Sequence, residues 1–356
     1  MVSSQVVRSE SSEEAMLSVQ ELIKNPLTSL PHCYIQLDNH EPSSPFQDHA
    51  IPTINLKNLI QGEATEQELQ KLNSACRDWG FFQLVDHGIS PLMLETLKEE
   101  TEGFFKLPLE EKIKYKIRPG DVEGYGISLS KSKDQKLDWG DRLFMTTNPH
   151  SIRKPHLFPK LPSSLRTILE SYILEMQNLA KILVGMLGNM LKINERELEG
   201  FEDGIQNLRM NYYPPCLQPE LVVGLTAHSD ASGITILNQV NGVNGLQIKK
   251  DGIWIPVNVS SDAFIVNIGD ILEIMSNGLY KSVEHRVTVN SEKERISIAM
   301  FFNPKFQSEI EPSVNLTNQE NPPLYKRIKM EKYLKDFMNR RKLDGKSYLE
   351  HMKITN

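Results

Sequence analysis

Two metal-ligating side chains stand two residues apart in Leu225-Thr226-Ala227-His228-Ser229-Asp230. On a strand or a strand end, residues i and i+2 share a face, so the His228 imidazole and the Asp230 carboxylate converge on one point. A second imidazole, His285, follows 55 residues after Asp230, and Arg295-Ile296-Ser297 begins ten residues beyond it. Two histidines and one carboxylate make a facial triad, which holds an octahedral Fe(II) from one side and leaves three positions open for a co-substrate and O2. Period two along residues 295–301 puts Arg295, Ser297, Ala299 and Phe301 on one face and Ile296, Ile298 and Met300 on the other. An arginine pointing into a sheet interior is costly unless it meets an anion. A guanidinium fork beside a hydroxyl suits a carboxylate. The charges agree: Fe(II) with one Asp leaves +1, and Arg295 makes +2, which a dicarboxylate neutralises. A 2-oxo acid would chelate the metal through its keto-acid end and reach Arg295 and Ser297 with its distal carboxylate. Asn211 and Tyr213 share a face by the same parity and could add hydrogen bonds, and Phe301 would offer a substrate an apolar wall.

Three other readings use the same residues. His285 could be a satisfied strand histidine, which leaves Arg295 and Ser297 without a purpose. The triad could hold zinc in a cupin-like binding or hydrolytic protein. Ser229 could belong to a nucleophilic triad, but no Gly-x-Ser-x-Gly turn surrounds it.

Such groups need a rigid frame. Residues 207–302 read as short strands separated by turn signals; Asp251-Gly252 joins two of them as a hairpin, and Gly269-Asp270 closes the strand 263–268. Residues 163–191 carry apolar side chains at 3-4 spacing, among them Leu165, Leu169, Tyr172, Met176, Leu183 and Leu187. At ~1.5 Å per residue that helix would run about 40 Å, enough to buttress a sheet. Many short strands behind one long helix predict an α+β fold with a double-sheet jelly-roll core. Upstream, residues 51–56 read as an edge strand because of Pro52, 66–78 as an amphipathic helix, and 79–85 as a buried strand. His87 reads as a turn or core residue rather than a ligand, residues 118–132 as a loop whose glycines do not match a phosphate-binding pattern, and 137–145 as a return to strand. The chain divides into a flexible leader (1–50), a mixed α/β region that includes the long helix (51–205), the jelly-roll core (206–305) and a helical tail with a solvated basic face (306–356).

Bulk properties set the limits. The 356 residues are 39% hydrophobic, which supplies an ample core. A net charge of -6 without a basic blanket over the chain argues against nucleic acid or anionic membrane as partner. Cys33, Cys76 and Cys216 are too far apart to suggest a disulfide frame and fit free thiols in a reducing compartment. Residues 1–15 have no apolar segment of a secretory signal, and no run approaches 18 apolar residues. A monomeric cytoplasmic protein with a small-molecule substrate is expected.

The motifs Trp79-Gly80-Phe81-Phe82, Asn211-Tyr212-Tyr213-Pro214-Pro215-Cys216, His228-Ser229-Asp230, Asn267-Ile268-Gly269-Asp270, Ser276-Asn277-Gly278, His285-Arg286 and Arg295-Ile296-Ser297 together resemble the plant-type 2-oxoglutarate- and Fe(II)-dependent dioxygenases. The likeness spans nearly the whole chain. Ser18-Val19-Gln20-Glu21-Leu22 and Leu137-Asp138-Trp139 look closest to a subgroup with alkaloid O-demethylases, norcoclaurine-synthase-like and senescence-related proteins. The resemblance implies a distorted double-stranded β-helix, a catalytic iron on His228, Asp230 and His285, and 2-oxoglutarate on Arg295 and Ser297 with Asn211 and Tyr213 assisting. It places Arg142, Phe144, Arg209, Phe301 and Tyr125 near the substrate. The implied reaction consumes O2 and 2-oxoglutarate, with ascorbate as reductant, and yields succinate and CO2. Its outcome would be hydroxylation, O- or N-demethylation, desaturation or ring closure of a small aromatic metabolite such as an alkaloid, phenylpropanoid or flavonoid. The alternatives are an oxidase of the aminocyclopropane carboxylate oxidase type, which needs no 2-oxoglutarate, and a jelly-roll protein that binds metal without turnover.

Overall fold

The computed structural model describes residues 18–25, 27–36, 50–61, 65–127, 136–340 and 348–354. Residues 1–15 and residues 128–132 of the predicted loop lie outside the described residues. The larger sheet is built from β1 (Thr53–Asn55), β2 (Phe81–Val85), β3 (Gly124–Gly126), β4 (Asp141–Asn148), β5 (Gln206–Tyr213), β7 (Ile234–Asn238), β10 (Phe264–Ile268) and β12 (Arg295–Phe302). Their order is β1-β2-β10-β7-β12-β5-β4-β3. Pro52 directly precedes β1, which takes the edge and pairs in parallel with β2, as a strand led by a residue without an N–H should. The smaller sheet holds β6 (Leu225–His228), β8 (Leu246–Lys250), β9 (Ile253–Pro256) and β11 (His285–Val287) in the order β6-β11-β8-β9. Asp251 and Gly252 join β8 to β9 with positive φ at both positions, the conformation a two-residue hairpin of this kind requires.

The alternation in β12 separates two interiors. Ile296, Ile298 and Met300 are buried in a cluster with Leu169, Tyr172, Met176 and Leu183 of the long helix. On the other side, Phe81 and Ile265 of the larger sheet meet Leu246, Ile248 and Ile255 of the smaller one. Two sheets packed this way, one much larger than the other, form the jelly roll that the strand pattern predicts and the distorted double-stranded β-helix that the resemblance implies. Four strands from before residue 205 complete the larger sheet, so residues 51–205 and 206–305 share one framework rather than forming separate bodies.

The helices lie outside the sheets. Helix α1 (Val19–Leu22) belongs to the expected flexible leader, yet Ser18 and Val19 are fully buried. Asp141, 1% exposed, accepts hydrogen bonds from Ser18 Oγ at 2.5 Å and the Val19 amide at 2.7 Å. Tyr34 stacks edge-on against Trp139 at 5.2 Å, and the Leu137 amide donates to the Cys33 carbonyl. Residues 18–25 and 27–36 are therefore fixed to the body by a buried carboxylate and an aromatic contact, which corrects the flexible assignment for them. Helix α2 (Thr65–Ser74) runs on into a wider turn, Ala75–Trp79, that Gly80 closes at φ +62. A Cβ there would sit 2.1 Å from the Lys281 carbonyl oxygen, so only glycine lets β2 approach the segment leading into β11. Helix α3 (Pro91–Lys106) lies along α4 (Ser163–Leu191), the span its periodicity predicts. Helix α5 (Asp270–Met275) is buried throughout, and α6 (Met330–Arg340) sets Met330, Tyr333 and Phe337 inward while Lys332 stays exposed. No helix among the described residues is long and apolar enough to cross a membrane.

Candidate active site

Cross-strand pairing brings the two histidines together: His285 of β11 stands opposite His228 at the end of β6. His228 Nε2 lies 3.6 Å and His285 Nε2 3.7 Å from Asp230 Oδ1, and the three ligand atoms fall within 4.8 Å of one another. Each ring is fixed from behind. His228 Nδ1 is 2.8 Å from the Thr226 carbonyl and His285 Nδ1 is 3.2 Å from the Val283 carbonyl. A carbonyl only accepts, so each Nδ1 carries a proton there and each Nε2 is the ring atom that faces Asp230. The carboxylate is divided in the same way. Its Oδ2 accepts from Thr235 Oγ1 at 2.8 Å and Asn267 Nδ2 at 2.9 Å, while Oδ1 faces the imidazoles. Two imidazole nitrogens and one carboxylate oxygen, converging from one side, could hold a divalent metal and suit Fe(II) well.

Thr226 is itself held: its amide and hydroxyl both donate to Asp138 Oδ1, at 2.9 and 2.6 Å. Thr235 and Asn267 are paired across β7 and β10 on the inner face of the larger sheet, so Asp230 is oriented by that sheet and the histidines by the smaller one. Sequence reasoning passed over Asp138, Thr235, Asn267 and Asp270 as site residues. Asn267 and Asp270 were within reach through the Asn267-Ile268-Gly269-Asp270 motif, whereas Thr235 offers no local signal.

The residues that could bind an anion follow the predicted parity. Antiparallel pairing sets Arg295 opposite Tyr213 and Ser297 opposite Asn211, and directly opposed residues share a face. Arg295 is 2% exposed, with Nη1 3.3 Å from Ser297 Oγ, Nη2 3.4 Å from Gln239 Oε1 and the Tyr213 ring 5.5 Å from Cζ. Its Nε has no partner, and no carboxylate ion-pairs with it among the described residues. Burial works against this charge and lowers the Arg295 pKa from the ordinary arginine value. Gly245 supplies the room: a Cβ there would meet Arg295 Cδ at 2.9 Å. A dry guanidinium with an orphan donor is a cradle for an incoming carboxylate. Asn211 donates from Nδ2 to Ser297 Oγ at 3.4 Å and accepts from Arg209 Nε at 2.6 Å, which links the anion site to its neighbours.

The same face continues outward. Arg142 pairs with Asn211, Phe144 with Arg209 and Phe301 with Asn207, so Arg142, Phe144, Arg209 and Phe301 all lie on the side that carries Arg295. Phe144 and Phe301 meet edge-to-face with centroids 6.4 Å apart, and the Arg142 guanidinium stands 5.7 Å over Phe144. Tyr125 departs from expectation. It pairs with Leu143, on the opposite face, and is 2% exposed. Its hydroxyl donates to Asp141 Oδ2 at 2.9 Å, so it supports the docking of α1 rather than a substrate.

Comparison with known proteins agrees with this geometry. The model of the 2OG-Fe(II) oxygenase superfamily matches residues 204–304, and that of the non-haem dioxygenase in morphine synthesis N-terminal region matches residues 51–161. Codeine O-demethylase of Papaver somniferum is 50% identical over 345 residues, covering 95% of this chain and 96% of that protein. Oxoglutarate-dependent flavonoid 7-O-demethylase 1 of Ocimum basilicum is 47% identical over 340 residues, covering 95% and 91%. The crystal structure of JOX2 in complex with 2OG, Fe and JA superposes with a TM-score of 0.84 at 38% identity, covering 95% of this chain and 98% of that one.

Proposed function

The chain belongs to the 2OG-Fe(II) oxygenase superfamily, oxidoreductases that use Fe(II), 2-oxoglutarate and O2, and on that premise we propose that it hydroxylates or oxidatively O- or N-demethylates a small aromatic plant metabolite. The observation that carries the substrate class is the aromatic pair Phe144–Phe301, flanked by Arg142 and Arg209, on the sheet face that also bears Arg295. Flat rings bind well against edge-to-face phenylalanines, and the arginines offer donors to phenolic or methoxyl oxygens. The demethylase relatives act on codeine and on a flavonoid, two different aromatic scaffolds, which is consistent with this breadth.

In this reading His228, Asp230 and His285 hold the iron from one side. When bound, the iron with 2-oxoglutarate and O2 supplies the oxidation, with succinate and CO2 as co-products. The protein's part is placement. Arg295 and Ser297 bind the distal carboxylate of 2-oxoglutarate, with Asn211 and Tyr213 completing the walls of that pocket. Phe301 and Phe144 exclude water and set the ring edge toward the triad. If the oxidised carbon is an O-methyl, its hydroxylated form loses formaldehyde and leaves a phenol. We take the protein to act as a cytoplasmic monomer, which fractionation and size-exclusion chromatography would check.

The test is succinate release with Fe(II), ascorbate and 2-oxoglutarate across methoxylated flavonoids and alkaloids, with formaldehyde read in parallel. Succinate above background with one scaffold class is expected, with formaldehyde if the reaction is demethylation. Succinate that no aromatic substrate raises above the uncoupled level would refute the substrate class.

A further inference from the structure

Behind the triad lies a buried carboxylate that the proposed chemistry does not use. Asp270 opens α5 and is fully buried. Its Oδ1 accepts from Ser282 Oγ at 2.6 Å, and its Oδ2 accepts from Tyr333 Oη at 2.8 Å and from Ser229 Oγ at 3.2 Å. Its own amide donates to the Asp230 carbonyl at 2.8 Å. Two of these partners lie in the ligand-bearing stretches. Ser229 stands between His228 and Asp230, and Ser282 precedes Val283, whose carbonyl fixes the His285 ring. The third, Tyr333, comes from α6 near the end of the chain. Gly269 lets the start of α5 press onto the 229–232 turn, because a Cβ there would sit 2.1 Å from the Ser232 carbonyl oxygen.

We propose that Asp270 is a positioning residue for the iron site, a single acceptor that ties the His228–Asp230 stretch and the His285 stretch into one registered triad and anchors both to the C-terminal helix. This rests on the reading that His228, Asp230 and His285 bind the iron. The physical reason is the count of donors. A carboxylate accepts all three hydroxyls at once, whereas an amide has one acceptor oxygen and turns an N–H toward the others. Without the carboxylate, two ligand segments that belong to different strands lose their common fixed point. Groups behind metal ligands set the ligands' orientation, and their loss typically weakens metal binding by ~10–100-fold.

Co(II) titration of the metal-free protein without O2, read by its visible absorption bands, separates this role from mere stability. Asp270→Asn should weaken Co(II) binding by ~10–100-fold and shift the bands. Ser282→Ala should weaken it in the same direction, whereas Ser282→Thr, which keeps the hydroxyl, should restore the wild-type affinity. Tyr333→Phe removes a donor that touches neither ligand stretch, so it should lower Tm while leaving the bands in place. Wild-type affinity and bands in Asp270→Asn and Ser282→Ala would overturn the proposal, as would a Co(II) affinity that simply tracks Tm through Tyr333→Phe. If Asp270→Asn does not fold, the Ser282 pair decides, and identical behaviour of Ala and Thr overturns it. Asp230→Ala serves as the control: wild-type binding there would refute the iron reading itself rather than the role of Asp270.

Discussion

Arg295 holds a guanidinium in the interior, 2% exposed, with no carboxylate paired to it among the described residues. Its burial beside Ser297, with an unpartnered Nε, makes sense for a site completed by a carboxylate. Replacement by lysine keeps the charge but loses the fork. Arg295→Lys should raise the apparent KM for 2-oxoglutarate by about tenfold or more, the loss of one charge-assisted hydrogen bond of ~1.5 kcal/mol, with metal affinity unchanged. Equal KM values in a titration of 2-oxoglutarate would contradict the assignment. Parity within each strand groups Arg295 with Ser297 and Asn211 with Tyr213, and the β5–β12 register then sets the two pairs on one face. Tyr125 was not: it stands between Gly124 and Gly126, where no apolar alternation marks the inner side, and its true partner Asp141 is recognisable only once β3 and β4 are paired. Thr235 escaped for a similar reason, since its partnership with Asp230 depends on a turn whose geometry a sequence does not display.

Elements defined by their own periodicity were the readable ones. The long helix α4 announces itself through its apolar stripe, and the β8–β9 hairpin through Asp251-Gly252. Leu183, fully buried on α4, tests the buttressing role: Leu183→Ala should cost about 2–5 kcal/mol in urea unfolding, and a change below ~1 kcal/mol would mean that the stripe is not tightly packed. The docking of helix α1 is not legible in its own residues, because four residues cannot hold themselves in place. What holds them is Asp141, more than a hundred positions away, which receives the first amides of the helix and two hydroxyls. Asp141→Ala should therefore leave these buried donors unsatisfied, cost about 1–3 kcal/mol and release residues 18–25 and 27–36. Hydrogen exchange in that segment would report it, and unchanged protection would show that the contacts with Trp139 suffice.

At the scale of the whole molecule, the site is assembled from both sheets: β6 and β11 bring the histidines, β7 and β10 orient Asp230, and β5 and β12 carry the proposed anion pocket. That joining explains why the fold class could be inferred from strand rhythm and one long helix while the links between segments could not. Sheet order brings Asp138 to Thr226 and Ser282 to Asp270, and neither is written in local spacing. It also explains why residues before 205 cannot be treated as a separate unit, since β2 and β4 are strands of the sheet that bears the site. The central claim is that this one assembly couples 2-oxoglutarate turnover to substrate oxidation at the triad. The most direct measurement is product and succinate quantified together, with and without 2-oxoglutarate, in wild type and Asp230→Ala. Equal amounts of both in wild type, and neither without 2-oxoglutarate or in the variant, is the predicted result; oxidation of the substrate that proceeds without 2-oxoglutarate, or survives loss of the Asp230 carboxylate, would contradict it.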